Sequence, residues 1–129
     1  MAQKVVSYHG LQVYKAAFDL YIVSLSSVAL MNNAHKYDLG RDINKRVFKI
    51  IQLIRKAYFA NDAVGRKGRS AILAKALRKV DEAGVQMMAA AEMHAVDLKK
   101  LAQFSTKAEM VNRQLAGWKR ATENKMNEL

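Results

Sequence analysis

The 129-residue chain is about half apolar, carries a formal net charge of +11, and contains neither cysteine nor proline. A chain of this length can close one hydrophobic core without covalent staples, the missing thiols exclude disulfide frameworks and thiolate metal cages or nucleophiles, and the absence of proline with only six glycines favours long helices over a turn-rich β fold. The most apolar stretch, Tyr21 to Met31, is interrupted by Ser24, Ser26 and Ser27 and falls far short of the roughly 18 apolar residues that span a bilayer; Met1 to Ser7 show no secretory pattern, so a cytoplasmic protein without a membrane anchor is expected.

Four helices are expected from apolar spacing and punctuation. In the first, Leu11, Tyr14, Phe18, Tyr21, Ile22 and Leu25 recur at three- and four-residue steps and define one apolar face, read as the core face, with a stop near Met31 and a break at Asn32-Asn33. The second has a continuous stripe of Leu39, Ile43, Val47, Ile50, Ile51, Ile54, Ala57 and Tyr58, with Asp38 as its expected N-cap and an end near Asn61-Asp62. The two glycines and three cations of Ala63 to Arg69 predict an exposed, mobile loop, after which Ser70 is placed as a cap.

The third helix keeps the helical step through Ile72, Leu73, Ala76, Leu77, Val80, Ala83, Met87, Ala90 and Ala91 and is expected to end between His94 and Lys99, with Gly84 admitting a close neighbour. Thr106 and Glu109 have the spacing of a capping box, which places the start of the fourth helix there, with Met110, Val111, Leu115 and Trp118 on its apolar face and a frayed tail from Met126. Four amphipathic segments joined by short links, without strand pattern or internal repeat, predict an all-α, up-down-up-down four-helix bundle in which residues 1–129 form a single domain.

The charge is concentrated. Between Lys36 and Lys79 stand thirteen Lys and Arg against only Asp38, Asp42 and Asp62, which accounts for nearly all of the net charge. Arg41, Lys45, Lys49 and Lys56 are stacked on one helical face away from the Ile stripe, where like charges four residues apart cost about a few tenths of a kcal/mol per pair that a polyanion would relieve. Together with Arg46, Arg66, Lys67, Arg69, Lys75, Arg78 and Lys79 they form the candidate binding set, with phosphates as the main source of affinity. Zinc-finger, RNP-type and basic-zipper patterns are absent, so base-specific reading is not expected.

Catalytic and metal chemistry find no support. His9, His35 and His94 are widely separated, no HExxH or paired Glu-x-x-His spacing occurs, and Glu92 and His94 sit on different helical faces, so no metal, no cofactor and no catalytic residue is assigned. Gly65-Arg66-Lys67-Gly68-Arg69-Ser70 lacks both the spacing of a phosphate loop and a preceding strand. Met87, Met88 and Met93 are read as core and interface filling.

Leu11-x-Val13-Tyr14 in the first helix, Tyr37-x-Leu39-Gly40-x-x-Ile43 opening the second, Ala60-Asn61 closing it, and Gln114-Leu115-x-Gly117-Trp118 in the last occur in an order that resembles the accessory variability determinant proteins of diversity-generating retroelements. More broadly the chain is similar to the four-helix-bundle proteins encoded by intervening sequences in bacterial ribosomal RNA genes. The likeness runs from about Leu11 to Arg120. It implies a barrel-like homopentamer with a positive surface that binds RNA or DNA and partners the retroelement's reverse transcriptase in mutagenic complementary-DNA synthesis. The protein would then be a non-catalytic accessory factor, and the transcriptase would perform the chemistry. Leu39-Gly40 and Gly117-Trp118 are read physically as a helix-start turn and a packing anchor.

An assembly of +11 subunits needs an apolar interface, for which Tyr8, Tyr21, Leu30, Met88 and Met93 are candidates. The competing expectation is a basic scaffold that docks an acidic protein partner without nucleic acid.

Overall fold

The sequence's apolar periodicities become four long helices. The structure is a computed structural model that describes residues 8–60 and 63–127, the side chains of residues 8–9, 63–67 and 126–127 excepted. We label the helices α1 (Tyr8–Ala29), α2 (Arg41–Tyr58), α3 (Ala63–Glu92) and α4 (Leu98–Asn127). Each packs against two neighbours, α1 on α2 and α4, and α3 on α2 and α4. Cross-helix pairs run in opposite senses, with Asp42 and Arg46 of α2 meeting Gln86 and Glu82 of α3, so the bundle is antiparallel at that seam. Among the described residues no strand occurs, and no helix is long and apolar enough to cross a membrane.

The core takes Val13, Ala17 and Leu20 from α1, Ile43, Val47, Ile50 and Ile54 from α2, Leu73, Val80 and Met87 from α3, and Phe104, Val111, Leu115 and Trp118 from α4. On α2 and α3 this is the stripe that the sequence predicts. On α1 it is not. Leu11, Tyr14, Phe18, Ile22 and Leu25 are 39% to 49% exposed, while the narrower side chains of Val13, Ala16, Ala17, Leu20, Val23, Ser24 and Ser27 face inward. Both faces of α1 are apolar enough to be buried, and the smaller one fits between the bulky Ile and Leu residues of its neighbours. Met110 on α4 is likewise exposed.

Helix boundaries depart from the expected capping residues. The chain turns helical at Asn33, not at Asp38: the Asn32 carbonyl accepts from the amides of His35 (3.1 Å) and Lys36 (2.8 Å), and Lys36–Gly40 form one wide π-helical turn that runs straight into α2. Asp38 lies inside that turn and caps nothing. Gly40 is there for space: a Cβ at this position would stand 2.7 Å from Val28 Cγ1 and 3.0 Å from Met31 Sδ. Gly84, by contrast, has no atom within 4 Å of such a Cβ, so it admits no close neighbour.

The stretch from Ala63 to Arg69, expected as a loop, is the first two turns of α3. Two glycines weaken a helix by about 1 kcal/mol each, but tertiary anchors hold its start: Arg69 Nε donates to the Ala57 carbonyl (2.9 Å), its guanidinium carbon lies 5.5 Å from the Trp118 ring centre, and Ser70 Oγ donates to Glu123 Oε2 (2.7 Å) instead of capping. The expected stop at Asn61-Asp62 lies outside the described residues; α2 itself ends at Tyr58.

Helix α3 ends at Glu92, earlier than expected, in a left-handed cap at His94 (φ 60°), where Ala95 N–H donates to the Ala90 carbonyl (2.8 Å) and His94 N–H to Ala91 (3.0 Å). Asp97 then opens α4 by accepting from Lys100 N–H (2.8 Å). The expected capping box at Thr106 is interior to this helix: its hydroxyl donates to the Ala102 carbonyl (3.0 Å), and Glu109 reaches Arg113 at 4.0 Å. The backbone of α4 stays helical to Asn127, past the expected start of the tail at Met126, and residues 128–129 lie outside the described residues.

Candidate nucleic-acid interface

The candidate surface is built on the outer faces of α2 and α3. Its register is fixed by a polar knot. Arg46 Nη1 donates to Asp42 Oδ2 (3.0 Å) and to Gln86 Oε1 (2.5 Å), Arg46 Nε donates to Glu82 Oε1 (3.1 Å), and Gln86 Nε2 donates to Asp42 Oδ2 (2.5 Å). The hydrogen bond from Gln86, followed by the bond and charge of Arg46, holds the Asp42 carboxyl below its usual pKa. Continuing that antiparallel register along the helices sets Lys49 level with Arg78 and Lys79.

The eleven residues singled out from the sequence separate into groups. Arg41, Lys45, Lys49, Lys56, Lys75 and Arg78 are exposed and form no ion pair within 4 Å among the described residues, although the charge of Lys45 also acts on the Asp42 carboxyl. Arg46 is neutralised by Asp42 and Glu82, and Lys79 shares Glu82 at 3.6 Å, so these two belong to the fold's internal ion pairing. Arg69 is spent on Ala57 and Trp118. The side chains of Arg66 and Lys67 lie outside the described residues. Six cations thus remain on one side of the bundle, with a carboxylate deficit that the knot at Arg46 does not relieve.

Aromatic residues among these cations were not part of the expected site. Phe48, 44% exposed, lies between Lys45 and Lys49 on the outer face of α2, and Tyr37, 60% exposed, projects from the wide turn. Both line a groove of about 340 Å³ with Tyr21, Val28, Lys36, Arg41, Asn44 and Lys45. Tyr21 and Phe48 are in ring contact, with centres 5.5 Å apart. The signal was present in the sequence: Phe48 is out of phase with the Ile stripe of α2 and in phase with Arg41, Lys45 and Lys49.

Outside this surface, no group of three or more His, Asp or Glu residues arranged to hold a metal occurs among the described residues. His94 caps α3 and is exposed, and His35 is half-buried. Met87 is core, whereas Met88 and Met93 are exposed. Trp118 is buried at the junction of α4 with the start of α3, as an anchor should be. Comparison with known proteins returns no relation: no family model, no curated protein and no solved structure matches the chain.

Proposed function

We propose that the protein is a non-catalytic, nucleic-acid-binding accessory factor that works with a reverse transcriptase in the mutagenic copying of a diversity-generating retroelement. The observation that carries nucleic-acid binding is the set of six exposed cations on α2 and α3 that form no close ion pair among the described residues. A row of unneutralised charges on a rigid helical face suits a phosphate backbone, because counterion release then supplies the affinity. The retroelement part of the reading is supported by the ordered motifs at Leu11, Tyr37, Ala60 and Gln114 to Trp118. It is tested by the genomic setting, where a reverse transcriptase gene with a near-duplicate template repeat is expected beside this one.

Assembly of copies, a homopentamer by the resemblance, is supported by the exposed stripe on α1. Leu11, Tyr14, Phe18, Ile22 and Leu25 step at intervals of three and four and form one exposed apolar face of the helix. The only acidic or basic residues of the α1 sequence besides His9 are Lys15 and Asp19, so copies can meet there without bringing their cationic faces together. A solution mass of five subunits is expected, reduced by Phe18→Glu with helicity retained.

Binding itself is tested by titrating RNA and DNA at increasing salt against the wild type and the triple reversal Lys45→Glu, Lys49→Glu, Arg78→Glu. Loss of binding with an unchanged circular dichroism spectrum is expected. Unchanged binding by the triple variant would remove the basis for the proposal. Capture of an acidic protein that survives nuclease treatment, with no RNA shift at low salt, would replace it with a protein-docking scaffold.

A further inference from the structure

The geometry points to a stacking site for an unpaired nucleobase at Tyr37, which makes the preferred ligand a single strand and not a duplex; this rests on the nucleic-acid reading above and narrows it. Tyr37 is the most exposed aromatic residue of the cationic surface, at 60%, and its ring is bracketed by two cations: Lys36 Nζ is 6.0 Å and Arg41 Cζ 5.9 Å from the ring centre. The ring is carried by a hydrogen-bonded turn, in which the Arg41 amide donates to the carbonyls of Asp38 and Lys36, so it is displayed on a fixed backbone. An exposed tyrosine in a mobile loop would lose more freedom on binding.

The groove beside it has a matching chemical lining. Its aromatic residues, Tyr21, Tyr37 and Phe48, offer apolar ring surface, its charged residues are Lys36, Arg41 and Lys45, and no carboxylate lines it. The Asn44 side-chain carbonyl is occupied, accepting from Ser24 Oγ at 2.7 Å, which leaves its amide N–H groups available to a base edge. Ring faces for bases alternating with cations for phosphates is the arrangement by which proteins hold single strands with little sequence preference. A duplex keeps its base faces stacked on one another and cannot present them to Tyr37. The same ring also borders a second groove, with Leu39, Ala89 and Met93, that contains Asp38 and Asp42. There the two carboxylates offset Arg41 and Lys45, which line both grooves, whereas on the Phe48 side the same cations and Lys36 meet no carboxylate, which favours that side for a phosphate chain.

The test uses the full chain with two fluorescently labelled probes of equal nucleotide count, an unstructured single strand and a closed hairpin duplex, each titrated with the wild type, Tyr37→Ala, Tyr37→Phe and Lys49→Ala. Tyr37→Ala is expected to weaken single-strand binding about 5- to 150-fold, the range of one base–aromatic stack, with little change in duplex affinity or in the salt slope. Tyr37→Phe keeps the ring and is expected to keep the affinity. Lys49→Ala is expected to weaken both probes and to lower the salt slope.

Equal losses of single-strand and duplex binding by Tyr37→Ala, or no loss of either, would overturn the stacking site while leaving salt-dependent binding intact. Failure of both probes to bind wild type at low salt would instead overturn the nucleic-acid reading. Should Tyr37→Ala unfold, probes carrying 2-aminopurine decide on the wild type: binding is expected to change the emission of the single strand, as its base moves onto the ring, and to leave that of the already stacked duplex base unchanged, and unchanged single-strand emission would refute the inference.

Discussion

Arg78 and Lys79 are neighbours in the chain but differ in what holds them, and the difference yields a quantitative test of how the surface binds. Arg78 is exposed without a carboxylate partner among the described residues, whereas Lys79 is half-buried with Nζ 3.6 Å from Glu82 Oε1. Only a cation not already neutralised releases a counterion equivalent when it meets a phosphate. The six such residues of the candidate set described on α2 and α3 would together contribute about −5 to the slope of log affinity against log salt for a duplex, and about −4 for a single strand. Arg78→Ala should reduce the duplex slope by about 0.9, which is roughly an eightfold loss of affinity at ~0.1 M salt relative to a 1 M reference. Lys79→Ala should leave the slope nearly unchanged. Anisotropy titrations at five salt concentrations between about 0.05 and 0.3 M resolve that contrast. Equal effects of the two variants, or a wild-type slope shallower than about −1, would refute the assignment of Arg78 to a phosphate and of Lys79 to the fold.

Three further outcomes test the fold that displays this surface. Gly40→Ala should lower stability by about 1–3 kcal/mol because its methyl meets the stiff Val28 side chain, while Gly84→Ala, with open space around it, should raise stability by about 0.5–1 kcal/mol in urea titrations. His94→Gly should stabilise by about 1 kcal/mol in the same assay by relieving the left-handed backbone. Asp42, whose folded pKa is below the ordinary 3.8, contributes stability that is full above that value and is lost as pH falls through the folded pKa. The stability gap to Asp42→Asn should therefore be constant near neutrality, no larger than about 1 kcal/mol for so exposed a pair, and should close below pH ~4.

Much of the bundle was legible in the sequence because α2 offers one apolar face, and burial can choose no other, while the inward residues of α3 keep a helical step despite the exposed Val85 and Met88. Val47, Ile50 and Ile54 could only point inward, and Leu73, Val80 and Met87 do so. The capping residues were harder to place, since Asp38 and Thr106 have the chemistry of caps but the chain had begun its helices earlier, at Asn33 and Leu98. Local propensity at Gly65 and Gly68 suggested a break, and contacts distant in sequence, from Arg69 to Ala57 and Ser70 to Glu123, outweighed it. The cationic surface was legible as composition but not as geometry. Helical spacing alone places Asp42 beside Arg46 and Glu82 beside Lys79, but it does not show that Glu82 also reaches Arg46 across the α2–α3 seam and ties the two pairs together.

The first helix shows why periodicity and occupancy are separate questions. Leu11, Tyr14, Phe18, Ile22 and Leu25 repeat with a helical period whether they meet the bundle's own core or a second copy, and the repeat alone carries no information about which. Volume decides it. The interior between α2 and α4 is already supplied with Ile43, Ile50, Leu115 and Trp118, and it accepts the small face of Ala16, Ala17, Ser24 and Ser27. The large residues are left outside, on a helix with almost no charge in a strongly basic chain. A solvated surface that faced only water would gain from charge at those positions. A surface that meets its own copies would lose by it, because each added lysine would be repeated in every subunit around the interface. The same assembly that covers α1 would leave the cations of α2 and α3 facing outward and multiplied, so one strand of nucleic acid could engage several subunits and bind far more tightly than any one of them.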